Sequence, residues 1–478
     1  NTSGTSNFIA GVNAGNSIAS GGVQNVCVGD EAGTAINTGD NNVAVGYAAL
    51  DANSTGSQNV AIGTNALGVN TTANNNVAVG YNALDANLTG TQNVAVGFSA
   101  LSSNTTANSN VAIGTNALAA NTTGANNTAV GENVMAANTE GVNNVALGYI
   151  ALDADTLGFQ STALGYAALS AQNFTSSTPS QNVAVGYYAG VSVTTGVNNT
   201  LIGAHAGDAL TDADNNVAFG YQSLGADTLG SESTALGKGT LTAQNFTSAT
   251  DTHNTAVGYQ SGNDITVGVK NTLLGSRSGD ALTDADENVG IGYATLSGDT
   301  LGSKSVAVGS GALEVQNFTS ATDAYNTAVG YQSGNDITTG TRNTIMGSLG
   351  GDALTEGGNN LVLGWNALGA DTKGSRSVAL GYSALTTQNF TSATNAYNVA
   401  VGFQAGNAVT TGLTNTLVGS LCHDNLTTGD LNVALGYDTR PSAVGVDSEI
   451  VIGNSVTGAG TNTVRIGTAG GTATLGLD

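Results

Sequence analysis

Asn42-Val43-Ala44-Val45-Gly46 is followed, seventeen residues on, by Asn59-Val60-Ala61-Ile62-Gly63, and seventeen further by Asn76-Val77-Ala78-Val79-Gly80. Taking the glycine as the anchor, the spacing of 17 holds from Gly29 through Gly165. A step of 21 then leads to Gly186, and the pattern 21, 17, 17, 17 repeats to Gly453, which makes four super-repeats of 72 residues. Gly11 and Gly467 are looser matches at the two ends. Such regularity marks a repeat architecture in which each unit is one supersecondary element. The organisation it predicts is an N-terminal cap or first irregular coil over 1–20 and uniform coils over 21–165. The four super-repeats follow over 166–453, and a C-terminal coil and end over 454–478.

Within a unit, the branched residues of Val43-Ala44-Val45 stand at i and i+2, so a strand puts both on one face and alanine on the other. β-Branched residues favour the extended chain. Gly46 permits a turn, Tyr47-Ala48-Ala49-Leu50 reads as a second short strand, and the polar stretch Asp51 to Gln58 turns at Thr55-Gly56. Helix is disfavoured, because glycine every few residues costs about 1 kcal/mol each.

Seventeen residues cannot bury a face alone, whereas stacked units can. The expected fold is therefore all-β, a parallel β-roll or β-solenoid of about 26 coils with 17- and 21-residue repeats. Val43, Val60, Val77 and Val94 are expected to form an interior column. Asn42, Asn59, Asn76 and Asn93 are expected to form a hydrogen-bonded ladder. The alanines Ala44, Ala61, Ala78, Ala95 and Ala112 would then make a flat outer face, close enough to another chain for a parallel homotrimer; a monomer is the competing reading.

The chain has 478 residues, only 9% of them charged, against roughly 25% in ordinary globular proteins. With 9 Lys and Arg against 33 Asp and Glu, the net charge is −24. So few cations cannot track a phosphate backbone, which excludes nucleic acid as a partner, and they cannot make a basic membrane-surface helix. No apolar run approaches the roughly 20 residues of a membrane-spanning helix. Cys27 and Cys422 form neither a disulfide framework nor a zinc site. The absence of an initial Met points to a processed or truncated product.

The repeated Asn-Val-Ala-Val-Gly, with Asn-Val-Ala-Ile-Gly at 59–63 and 110–114, resembles the head repeat of YadA-like trimeric adhesins. The longer Asn-Thr-Ala-Val-Gly-Tyr-Gln-Ser-Gly at 254–262 and 326–334 is similar to repeats in tail fibres of marine phages. The resemblance implies a left-handed β-roll with three chains side by side, and covers nearly the whole chain. The coils here are longer than those common in adhesin heads, and residues 468–478 read as neither a stalk nor a membrane anchor. The expected role is a non-enzymatic, elongated fibre shaft or adhesin. A phage or virion tail-fibre-type appendage for host attachment is preferred over a bacterial trimeric adhesin head or a self-assembling extracellular filament. The expected partners are the chain itself and a host-surface glycan or protein receptor, outside the cell and without membrane insertion.

No catalytic motif occurs, and a polysaccharide-degrading tailspike would need paired carboxylates in a groove. No catalytic residue and no cofactor are therefore expected. His205, His253 and His423 read as loop or coil-surface residues, and Cys27 fills the slot of Ala44 one coil on. Asp208, Asp212 and Asp214 recur as Asp280, Asp284 and Asp286, and Asp352 and Glu356 continue the series in part. These acidic loops are either solvated or a weak divalent-cation site; they lack the turn glycine and distal glutamate of a calcium loop.

Eleven of the 14 tyrosines, among them Tyr47, Tyr166, Tyr293 and Tyr382, directly follow an anchor glycine, a slot shared by Phe98, Trp365 and Phe403. They are either an edge-covering column or a platform for sugars. The sequons at Asn87, Asn104, Asn121 and Asn173 read as turn residues. The 21-residue coils each carry the phrase Gln-Asn-Phe-Thr-Ser, which places Phe174, Phe246, Phe318 and Phe390 in bulging loops. These phenylalanines are either plugs over the widened coil or outward contacts for a receptor.

Overall fold

The computed structural model describes residues 6–19 and 21–472, so parts of the expected N-terminal cap and C-terminal end lie outside the described residues. The chain divides into two compact units, residues 1–233 with 245–251 and residues 234–244 with 252–478. Among the described residues every regular element is a strand. The first unit stacks thirteen short strands from Phe8–Ala10 to Val217–Phe219, and the second stacks fourteen from Thr234–Leu236 to Val464–Thr468. Each pairs with the next in parallel and in register: Val43 with Val60, Ala44 with Ala61, Val45 with Ile62. The fold is thus the parallel β-solenoid expected, with 27 such strands among the described residues.

The face assignment is reversed. Ala44, Ala61, Ala78, Ala95 and Ala112 are fully buried, while Val43, Val60, Val77 and Val94 are half-buried on the outside. The reason lies in the second half of the coil. Tyr47-Ala48-Ala49-Leu50 is a turn and not a strand, with Ala48 at φ 50° and Leu50 at φ 55°. Left-handed residues cost about 1–2 kcal/mol each. They also drive Ala49 and Leu50 into the centre of the coil, where both are fully buried. Their amides stay paired between coils, Ala48 N to Asp30 O at 3.1 Å and Leu50 N to Ala66 O at 3.0 Å. Leucine fills the interior, so the strand residue opposite it is usually small, as Ala44 is opposite Leu50.

Several exceptions follow the same volume rule, although Val362 and Leu368 are fully buried in one coil, as are Leu417 and His423 in another. Where the strand centre is large, as at Leu201, the leucine slot becomes Gly207, and a Cβ there would fall 2.8 Å from Leu201 Cδ2. Interiors packed this closely accept exchanges of volume but not additions. The anchor glycine is required for a different reason. Gly46 sits at φ 135°, and a Cβ on it would lie 2.7 Å from the backbone of Gly63 in the next coil.

The predicted asparagine ladder is present. Asn42 Oδ1 accepts the backbone N–H of Asn59 at 3.0 Å, and Asn42 Nδ2 donates to Gly56 O at 2.9 Å. A second ladder runs through the supposed turn residues: Asn87 donates to Asn70 at 3.1 Å, Asn104 to Asn87 at 2.8 Å and Asn121 to Asn104 at 3.1 Å. Asn87, Asn104 and Asn121 are fully buried, while Asn173 is exposed.

Candidate interaction surfaces

The 21-residue coils are built around a buried carboxylate. Asp155 occupies the column of Asn138, one coil on. Its Oδ1 accepts the N–H of Gly158 at 3.0 Å and of Phe174 at 3.3 Å, and its Oδ2 accepts Gln172 Nε2 at 2.6 Å. Gln172 Oε1 in turn accepts Asn182 Nδ2 at 2.9 Å, which joins the loop to the first ladder. Gln388 and Asp371 repeat the pair at 2.6 Å, and Gln316 and Asp299 at 2.5 Å. Burial pushes the carboxyls of Asp155, Asp299 and Asp371 up, against the opposing pull of the Gln amide and backbone N–H groups. The loop folds back along a two-residue parallel pairing, Gly158 with Thr178 and Phe159 with Pro179. Phe174, Phe246, Phe318 and Phe390 are only 5–6% exposed. Their side chains lie under the loop, where the plug reading puts them.

The acidic residues are spent singly. Asp208 Oδ2 meets His205 Nδ1 at 2.8 Å and Asp280 Oδ2 meets Arg277 Nε at 2.8 Å. Asp212 accepts Thr195 Oγ1 at 2.6 Å, Asp214 the N–H of Val197 at 2.7 Å and Asp286 the N–H of Val269 at 2.8 Å. Asp284 is exposed and lines a groove with Asp286, Asp323 and Arg342. Among the described residues no three His, Cys, Asp or Glu side chains converge as a metal ion would require.

His423 is fully buried, not a surface residue. It takes the leucine slot after Gly419, with Nδ1 3.3 Å from Thr439 O, and burial pushes its pKa down. Glu449 replaces asparagine at the top of the first ladder. Its carboxylate accepts the N–H of Ser442 at 2.9 Å and of Gly460 at 2.8 Å. Glu449 did not stand out in the sequence and His423 was read as a surface residue, although both break a 17-residue column and that break marks them. The thiols of Cys27 and Cys422 are buried and pushed up to about 11, far from the thiolate a nucleophile needs.

The strand flanks that remain exposed are apolar. The outer flanks of the strands carry Val145 and Leu147, Leu274, Ile291, Met346, Leu361 and Leu363. Beside this face run the aromatic residues. Tyr149, Tyr166 and Tyr187 stack at 5.3 Å between successive centroids, and Trp365, Tyr382 and Phe403 stack at 4.7 and 5.3 Å. Interplanar angles of 15–24° turn these rings toward one another. Within a stack the faces a sugar would use are covered, and edges meet solvent.

Comparison with family models and with curated proteins finds no match.

Proposed function

We propose that the chain is a non-enzymatic fibre-shaft segment, of the kind found in a phage or virion appendage that attaches to a host surface, and that three copies associate in parallel. The supporting observation is the outer strand face. Leu147 is 52% and Leu363 46% exposed, and the same position is apolar in coil after coil. Extended apolar surface of this kind marks an association face. The contact surface in this proposal is therefore the branched residues flanking each strand, since the alanines are consumed by the core. Coils held by side-chain ladders, with no clustered catalytic groups among the described residues, serve as a spacer.

The test is solution mass. Light scattering on the purified chain should give three times the 46.8 kDa of one copy. The double substitution Leu147→Asp, Leu363→Asp should reduce it to one copy with the β-sheet circular dichroism retained, because both side chains are solvent-facing in a single chain. A parent mass of 46.8 kDa, or an undiminished assembly in the double variant, refutes the proposal.

A further inference from the structure

The aromatic column is complete in some coils and interrupted in others. From Tyr259 the residues after the anchor glycines alternate: Tyr259, Ser276, Tyr293, Ser310, Tyr331, Ser348, Trp365. In-register pairing of Ile291 with Val308 and of Val308 with Val329 places Tyr293, Ser310 and Tyr331 at successive levels of one column. Adjacent levels are about 4.8 Å apart, so Tyr293 and Tyr331 stand about 9.6 Å apart along the stack. Tyr149 and Tyr187 have the same two-level separation, and there the ring of Tyr166 fills the middle level at 5.3 Å from each neighbour. The chain itself thus shows that one level holds one aromatic ring.

We infer that the gap over Ser310, between the rings of Tyr293 and Tyr331, is a binding slot for a small planar aromatic ligand.

Exposure supports this directly. Tyr293 and Tyr331 are 56% and 55% exposed, against 41% for Tyr166 and 45% for Tyr382, whose faces are covered by stacked neighbours. The neighbouring column carries Ala294, Gly311 and Gln332, and the Gln332 side chain reaches over Gly311, with its Cγ 3.3 Å from where a Cβ there would lie. In the gap over Ser276, the equivalent neighbour is Arg277, bound to Asp280 and in electrostatic contact with Tyr293; over Ser348 it is Leu349. The Ser310 level has the smallest neighbouring residue of the three. Offset stacking between two ring faces suits an aromatic guest. Glu314 selects its charge. Its carboxylate lies beside Gly311, with Oε2 3.0 Å from Asn335 Nδ2. A neutral or cationic ring bearing an N–H is favoured and a carboxylated one is disfavoured.

The probe is indole, with indole-3-acetate as the anionic comparison, followed by saturation-transfer NMR on the full chain. Indole should bind saturably and indole-3-acetate at least tenfold more weakly. Ser310→Tyr should abolish the indole signal by filling the slot from within, and the fold tolerates tyrosine after the anchor glycine in eleven coils. Tyr331→Ala should weaken binding at least tenfold by removing one wall. Tyr382→Ser should create a new gap between Trp365 and Phe403 and raise the indole stoichiometry by one. The inference is overturned if the parent shows no saturable binding, or if Ser310→Tyr binds indole as the parent does.

Discussion

Asn87→Leu tests whether the second asparagine ladder holds coils together or merely fills space. In the parent, Asn87 Nδ2 donates to Asn70 Oδ1 at 3.1 Å and to Gly90 O at 3.0 Å, while its Oδ1 accepts Asn104 Nδ2 at 2.8 Å. Leucine preserves the approximate volume and keeps water out. Gly90 O keeps a donor in Asn76 Nδ2 at 2.8 Å, and Asn104 Nδ2 keeps Ala107 O at 3.1 Å. Two losses remain: the oxygen of Asn70 has no donor, and one proton of Asn104 has no acceptor. Asn53→Leu is the internal comparison. Asn53 begins the ladder above Ile36, so its removal strands only one proton of Asn70, whose Nδ2 retains Ala73 O at 3.3 Å. The gain from burying leucine is common to both variants. The difference is one buried amide oxygen, about 1–3 kcal/mol, or roughly 5–150-fold. A global unfolding midpoint is a poor readout in a repeat stack, where coils open locally. Native-state hydrogen exchange is suitable: the amides of Leu88 and Ser54 donate to the next coil at 2.9 Å each. Relative to the parent, Leu88 in Asn87→Leu should lose roughly 5–150-fold more protection than Ser54 in Asn53→Leu. Equal losses at the two sites would refute the ladder argument.

Two further outcomes follow from the 21-residue coils. Phe318→Ala removes a ring that packs within 2.7 Å of where a Cβ on Gly302 would lie. It should cost about 3–5 kcal/mol, read as accelerated exchange or proteolysis confined to the loop around residues 316–323; an unchanged loop would place the ring outside the packing. Burial raises the carboxyls of Asp155, Asp299 and Asp371 in the folded chain, so folding favours their protonated form. That stabilisation is complete below the unfolded value of about 3.9 and is lost as pH rises through the higher folded values. Melting temperature should therefore rise on mild acidification from pH 7 toward 4, and a monotonic fall over that window would contradict it.

The period, the parallel in-register stack and the first asparagine ladder were legible in the sequence because each depends on spacing alone. A residue recurring every 17 positions must meet its own copy in the next coil, whatever the coil's cross-section. The inserted phrase containing Phe174 and its equivalents was legible for the same reason, since extra residues in a fixed stack can only leave it. Which face of Val43-Ala44-Val45 points inward was not legible. Period two is symmetric between faces, and branched residues alone favour the interior. The decision rests on Ala48 and Leu50, which adopt left-handed backbone angles that no local preference for alanine or leucine predicts. Once Leu50 lies in the coil centre, the remaining volume favours alanine over the larger valine at position 44, so Val43 and Val45 go outward. The same closure buries Asn87 where a turn residue was expected. It also makes Asp155 and Gln172, seventeen residues apart, a hydrogen-bonded pair. Spacing determined what stacks on what; only the closed cross-section, through its limited volume, decided which side of the chain became core and which became surface.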